Sequence, residues 1–145
     1  MIFLDTSFLT PLFREEAASA KVADFLSRQA AGTLAVSKWA SVEFASLTSR
    51  DVRMGALTAS QGRRLIAEFE SMIAASLIAL IPSANDFDLA QEYVANFATQ
   101  LRGPGALHLA VAHNNGVEFV ATLDNGMLSA AKKVKIPARR VIRRS

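Results

Sequence analysis

Met1-Ile2-Phe3-Leu4-Asp5-Thr6-Ser7 is the stretch on which the reading of this chain turns. Four apolar residues stop at an acid followed by two hydroxyls. An apolar run this short, unbroken by polar positions, reads as a strand buried on both faces, as in a parallel sheet. Asp5, Thr6 and Ser7 then offer capping oxygens for a helix predicted to reach about Phe13, with Pro11 one turn in. The same pattern returns late in the chain. Residues 118–123 form an apolar run that ends at Asp124, flanked by Thr122 and Asn125.

Between these two strands the periodicity changes repeatedly. Ala18, Val22, Phe25 and Leu26 follow helical steps over residues 15–31, and Gly32 stops them. Residues 34–36 read as a second strand, followed by a helix over 38–53 and another, capped by Thr58, through Ile73. Residues 77–81 read as a third strand, stopped by Pro82, with a Ser83-capped helix after it. Arg102-Gly103-Pro104-Gly105 reads as a tight connection before an apolar helix over 106–115. A helix over 125–134 and a last short strand at Val141-Ile142 complete the pattern. Strands alternating with helices imply an α/β fold with a parallel sheet covered on both faces. In such sheets the functional crevice lies beyond the carboxyl ends of the strands, where strand order reverses.

Length and composition set the bounds. At 145 residues the expectation is one domain spanning 1–145. The net charge of +3 conceals an asymmetry: the segment 132–145 carries seven basic residues and no acid, whereas residues 1–131 carry nine basic and thirteen acidic groups. A mildly acidic body thus bears a strongly basic segment. With no cysteine, disulfides, thiolate metal sites and cysteine nucleophiles are excluded. The first residues lack a basic leader region and are interrupted by Asp5, and no run is long enough to span a bilayer. The expectation is a soluble protein of the cytoplasm with no membrane partner.

Asp5 and Asp124 are the first candidates for chemistry. If their strands are parallel neighbours, both carboxylates stand on the carboxyl edge of the sheet, where a cation would relieve their repulsion. The plain alternative is that each only caps the helix that follows. Glu43 sits in the small and apolar stretch Trp39-Ala40-Ser41-Val42-Glu43-Phe44-Ala45, where a buried charge needs a partner, unless it simply faces solvent. His108 and His113 are five apart and off one helical face, so they are not a metal pair, and His108 reads as a hydrogen-bonded packing residue. No glycine-rich phosphate loop follows the first strand and no G-x-S-x-G elbow occurs, which disfavours nucleotide-binding and acyl-transfer folds.

Taken in order, Ile2-Phe3-Leu4-Asp5-Thr6-Ser7, Ser41-Val42-Glu43-Phe44, Leu101-Arg102 with Ala106-Leu107-His108-Leu109-Ala110, and Phe119-Val120-Ala121-Thr122-Leu123-Asp124 resemble the PIN-domain nucleases, and within them the VapC-type toxins of toxin–antitoxin pairs. The resemblance spans nearly the whole chain. It implies an α/β/α sandwich with a short, mainly parallel sheet of four to five strands. It implies an endoribonuclease dependent on Mg²⁺ or Mn²⁺, acting on structured RNA such as tRNA or rRNA, forming a homodimer and held inactive by a VapB-type antitoxin. Carried over by position, Asp5, Glu43 and Asp124 are the acidic, metal-binding set, and Thr6 and Thr122 are supporting hydroxyls. Arg102 and the basic segment are candidates for attracting RNA, by contacts that depend on salt.

One position departs from the family pattern. Where an aspartate usually precedes Ala-Leu-His-Leu, this chain has Gly105. Either the site is impaired, naturally or by an introduced change, or three acids suffice for one metal ion and slow cleavage. A rival of another class follows: a PIN-fold protein that binds RNA or antitoxin without cutting. A receiver-like phospho-acceptor fits less well, since Asp5 is followed by Thr-Ser and no lysine follows the last strand in the required place. The helix bearing Leu65, Ile66, Phe69, Met72 and Ile73 is either a partner surface or a helix buried against the core.

Overall fold

Residues 1–143 are described by a computed structural model; Arg144, the last charge of the basic segment, lies outside the described residues. The apolar run at the start forms β1 (Ile2–Leu4), buried along its whole length as its composition predicts. It pairs in parallel with β2 (Leu34–Ser37) on one side and with β4 (Phe119–Ala121) on the other. β3 (Ile78–Leu80) adds to β2, and β5 (Ala138–Arg139) adds to β4. The order is β3-β2-β1-β4-β5 with every pairing parallel. The chain leaves β1 toward one edge and returns to build the other, so strand order reverses between β1 and β4. In register Leu4 faces Ala121 there, which puts Asp5 and the residues after Ala121 side by side.

Period-two alternation sends neighbouring residues of β1 into two cores. Ile2 and Leu4 join Val36 and Ala121 in a cluster with Phe8, Leu9, Val22, Phe44 and Phe69. These come from α1 (Thr6–Leu9), α2 (Ser19–Ser27), α3 (Trp39–Arg53) and α4 (Ala59–Ser76). Phe44 and Phe69 stack with centroids 4.1 Å apart, and Phe13 meets both edge-on. Phe3 and Val120 point the opposite way, into a cluster built by α5 (Ala84–Ala95), α6 (Gly103–Asn114) and α7 (Asn125–Lys133). The result is the α/β/α sandwich with a five-stranded parallel sheet that the sequence implies. Two helix starts follow their capping residues: Thr58 with Gln61, and Ser83 with Asp86, each form a reciprocal capping box.

Several local expectations are corrected. The first helix stops at Leu9 and tightens into a 3-10 turn over Thr10–Leu12, where Pro11 has no N–H to continue an α-helical ladder. The helix expected over 15–31 shrinks to α2, because Ser19 bonds the backbone of Arg14 and Glu16 and holds the preceding residues in a turn. Gly103, Pro104 and Gly105 are not a connection but the first turn of α6, with Arg102 extended at its N-cap; proline is at home there because that N–H needs no partner. The last strand is Ala138–Arg139 rather than Val141-Ile142. Val141 takes φ 55°, which breaks the strand, and both residues lean on the first core. The apolar residues of α4 are core residues: Phe69 and Ile73 are buried, with Leu65, Ile66 and Met72 packed beside them. Exposed apolar groups lie elsewhere: at Val42, Leu47 and Met54 on and after α3, at Ile78 and Ile81 on and after β3, and at Phe87, Val94 and Phe97 on and after α5. Among the described residues no helix is long and apolar enough to cross a membrane.

Candidate active site

The end of β1 and the end of β4 are tied together by side chains. Ser7 and Thr122 each donate a hydroxyl hydrogen bond to Asp5 Oδ2, at 2.7 and 2.8 Å. Ser7 Oγ accepts from Leu123 N, and Thr122 Oγ1 accepts from Asp124 N, both at 3.1 Å. Asp5 is thus buried yet held by two donors, and its side chain caps no backbone N–H of the helix after it. The capping alternative fails for Asp5. It holds for Asp124, whose Oδ1 accepts from Gly126 N and Met127 N at the start of α7. Capping uses one oxygen, so Asp124 still turns a carboxylate toward the cleft beside Asp5.

Glu43 arrives from the middle of α3. Its Oε1 accepts a 2.8 Å hydrogen bond from Thr6 and a second from His108 Nε2. His108 is 1% exposed, meets Phe3 edge-on, and has its Nε2 4.0 Å from Asp5 Oδ1. Burial alone would lower its pKa, but the hydrogen bond to Glu43 and the charges of Asp5 and Glu43 outweigh that and raise it. An imidazolium here offsets part of the negative charge of two neighbouring acids. The packing role expected of His108 is therefore correct but incomplete, since it also lines the cleft. The sequence carries a signal for this: position 108 is one helical turn after Gly105, so the two share a face of α6. Ser7 was noted only as a neighbour of Asp5, and its place is fixed by a bond to a residue more than a hundred positions away.

These groups line one cleft of about 370 Å³, with Asp5, Thr6, Glu43, Gly105, His108 and Asp124 on its walls and Arg102 at its rim. Thr122 is fully buried beneath it and acts through Asp5. Asp5, Glu43 and Asp124, with Thr6, Gly105 and Arg102, are thereby brought to one place, and His113 is not among them. Asp86 and Asp88 are not: they belong to α5, beyond the edge strand β3, and Asp86 is committed to its cap and to Asn114. Arg102 is exposed, and its guanidinium makes no hydrogen bond among the described residues.

The donor set can be tested against a divalent ion. Asp5 Oδ1, Glu43 Oε2 and Asp124 Oδ2 accept no hydrogen bond among the described residues, so one oxygen of each acid is left over. No three His, Asp or Glu side chains among the described residues close into a ready-made cage. Mg²⁺ does not need one; it takes one or two carboxylates and keeps its waters. Oxygen-only, partly open and net negative, the set fits a hydrated hard cation and not a soft or fully protein-ligated one.

A sequence model of the PIN domain matches residues 2–133. The chain belongs to the PIN domain family. No curated protein matches it by sequence. Among solved structures, VapC20 of Mycobacterium tuberculosis, described as a sarcin-ricin loop cleaving toxin, superposes with a TM-score of 0.74 at 17% identity, over 90% of this chain and 95% of that one. FitAcB from Neisseria gonorrhoeae gives 0.69 at 19% identity, over 95% and 96%. VapBC2 from Rickettsia felis, bound to a DNA fragment from its promoter, gives 0.64 at 14% identity, over 96% and 98%. At these identities the likeness is one of fold. This PIN domain therefore shares the architecture of toxins from toxin–antitoxin systems, as its four motifs imply.

Proposed function

We propose that this PIN domain is a divalent-metal-dependent endoribonuclease toxin that cleaves structured RNA, of the tRNA or rRNA class, and is restrained by a VapB-type antitoxin. The observation that carries this reading is the meeting of Asp5, Glu43 and Asp124 in one cleft at the switch point of the sheet, each with a spare oxygen. Asp5 and Glu43, with Asp124, would hold Mg²⁺ or Mn²⁺, which when bound supplies Lewis acidity to a phosphodiester displacement. Ser7 and Thr122 keep Asp5 from rotating, and Thr6 does the same for Glu43. His108 bonds Glu43 and lies 4.0 Å from Asp5, and its protonated form, which these contacts favour, would offset part of the charge of both carboxylates. Arg102 sits where a phosphate entering the cleft meets it first. The basic segment adds to this: Arg140 donates to Leu123 O, one residue before Asp124, so part of its charge lies along the same edge.

An apolar groove of about 610 Å³ between α5 and the start of α6, with Trp39, Phe87 and Phe97 on its walls, shares Pro104 with the cleft and supports contact with an antitoxin or a second copy. The deciding experiment is cleavage of a labelled tRNA pool with added Mg²⁺ or Mn²⁺, with EDTA, and with Asp5→Ala. Cleavage should vanish under EDTA and in the variant; cleavage that survives both discards the metal mechanism.

Gly105 favours a second reading, a PIN-fold protein that binds RNA or antitoxin without cutting. Its α6 first-turn position faces the cleft with no side chain, leaving the acidic set at three. Calorimetric titration with Mn²⁺ separates the readings, since a binding module should show no uptake that Asp5→Ala removes.

A further inference from the structure

Beyond Gly105 lies a second hollow of about 320 Å³, at the small end of ligand pockets, which begin near 300 Å³. It shares Arg102, Gly105, Asp124 and Met127 with the acid cleft, so the two form one trough with Gly105 between them. A Cβ built on Gly105 would sit 3.4 Å from both Leu101 Cδ2 and Met127 Cε, in the passage itself.

The far wall of this hollow is unusually well fixed for a loop. Thr99, 4% exposed, donates its hydroxyl to Tyr93 O and Asn96 O and accepts from Leu101 N. Lys133 of α7 donates to Ala98 O. Between these anchors Gln100 is held at φ 56°, a conformation that costs a non-glycine residue on the order of 1 kcal/mol or more. Strain of that kind persists only where the surroundings enforce it. Its effect is to present the Gln100 side chain at the hollow, where its amide makes no hydrogen bond among the described residues.

We propose that this hollow is a base-reading subsite for the nucleotide next to the scissile phosphate, with Arg102 taking the intervening phosphate and Gln100 the edge of the base. The proposal rests on the nuclease reading. An RNA strand laid through the acid cleft reaches this hollow along the trough the two share. The glutamine amide presents a donor and an acceptor together, which pairs with the donor–acceptor edge of an unstacked base and discriminates bases by where that edge lies. Unstacked bases of single-stranded RNA are read in this way. Met127 and Leu101 offer apolar surface to the face of the base.

The test is fluorescence anisotropy with labelled rA10, rC10 and rU10, in EDTA and again in Ca²⁺, for the wild type, Gln100→Gly and Arg102→Ala. Gln100→Gly removes the amide while suiting the left-handed backbone, so it should melt at or above the wild-type temperature. The expected result is a wild-type preference of three-fold or more for one of the three RNAs over the others, lost in Gln100→Gly. Arg102→Ala should weaken all three RNAs alike, by about 3- to 10-fold, and lower the salt slope by about one. Equal binding of the three RNAs by the wild type, or a preference that Gln100→Gly retains, overturns the subsite. No binding of any RNA in either condition overturns the nuclease reading beneath it.

Discussion

Gly105→Asp is the perturbation that asks most of this structure. The position is in the first turn of α6 and lacks a positive φ, so an L side chain is not strained there. Its Cβ would meet Leu101 and Met127 at 3.4 Å, ordinary contact for two flexible side chains. Replacing a glycine at a compatible site contributes about 0.4–1 kcal/mol, and an acid near a helix N-terminus contributes about 0.3–1 kcal/mol. Against this stands repulsion. A carboxylate met at about 6 Å, with an effective dielectric near 20, repels by about 3 kcal/mol, and the protonated His108 returns a similar attraction. Without metal the variant should therefore melt within a few degrees of the wild type. With metal it should separate. A ten-fold tighter site adds about 1.4 kcal/mol at saturating ion, or roughly 3–6 °C for a chain of this size. The assay is paired: thermal melting in EDTA and in millimolar Mn²⁺, and single-turnover cleavage of labelled RNA. The expected outcome is a metal-dependent rise in melting temperature larger than wild type, with cleavage at least ten-fold faster. Equal metal shifts and equal rates would refute the argument that this position governs the charge of the site.

Two further perturbations separate stability from chemistry. Asp124 has two duties, so Asp124→Ser should keep the α7 cap and lose the carboxylate, melting near wild type with cleavage abolished; Asp124→Ala should lose both and cost about 1 kcal/mol more in urea unfolding. Phe69→Ala, which removes the stacked partner of Phe44 from the first core, should cost about 3–5 kcal/mol in the same measurement, and a loss under 1 kcal/mol would contradict the packing described.

The sheet was legible because buried parallel strands are written as unbroken apolar runs. Ile2–Leu4 and Phe119–Ala121 needed no context, and the acids after them marked the carboxyl edge. Helix boundaries were less legible where local chemistry competes with periodicity. Ser19 holds the four residues before it, 15–18, out of an apparent helix, and Gly103-Pro104-Gly105 carries the composition of a loop while satisfying the needs of a first helical turn. The candidate site was legible residue by residue, yet not as a network. Nothing local in the sequence says that Glu43 meets Thr6 and His108, or that Ser7 bonds Leu123, because those distances are set by how α3 and α6 pack on the sheet. The basic segment shows the same limit. Its composition suggested a free cationic arm, whereas Arg139 lies over the Phe119 ring and Val141 and Ile142 rest on the first core.

Of the two hydroxyls bonded to Asp5, Thr122 lies 117 positions away, and the other, Ser7, is itself tied to Thr122 and Leu123 across 115 and 116 positions. Thr122 is synthesised 117 residues after Asp5. A nascent chain cut off between them carries the first acid and not the hydroxyl that orients it. The acid cleft is therefore assembled only once β4 has been made and has paired with β1.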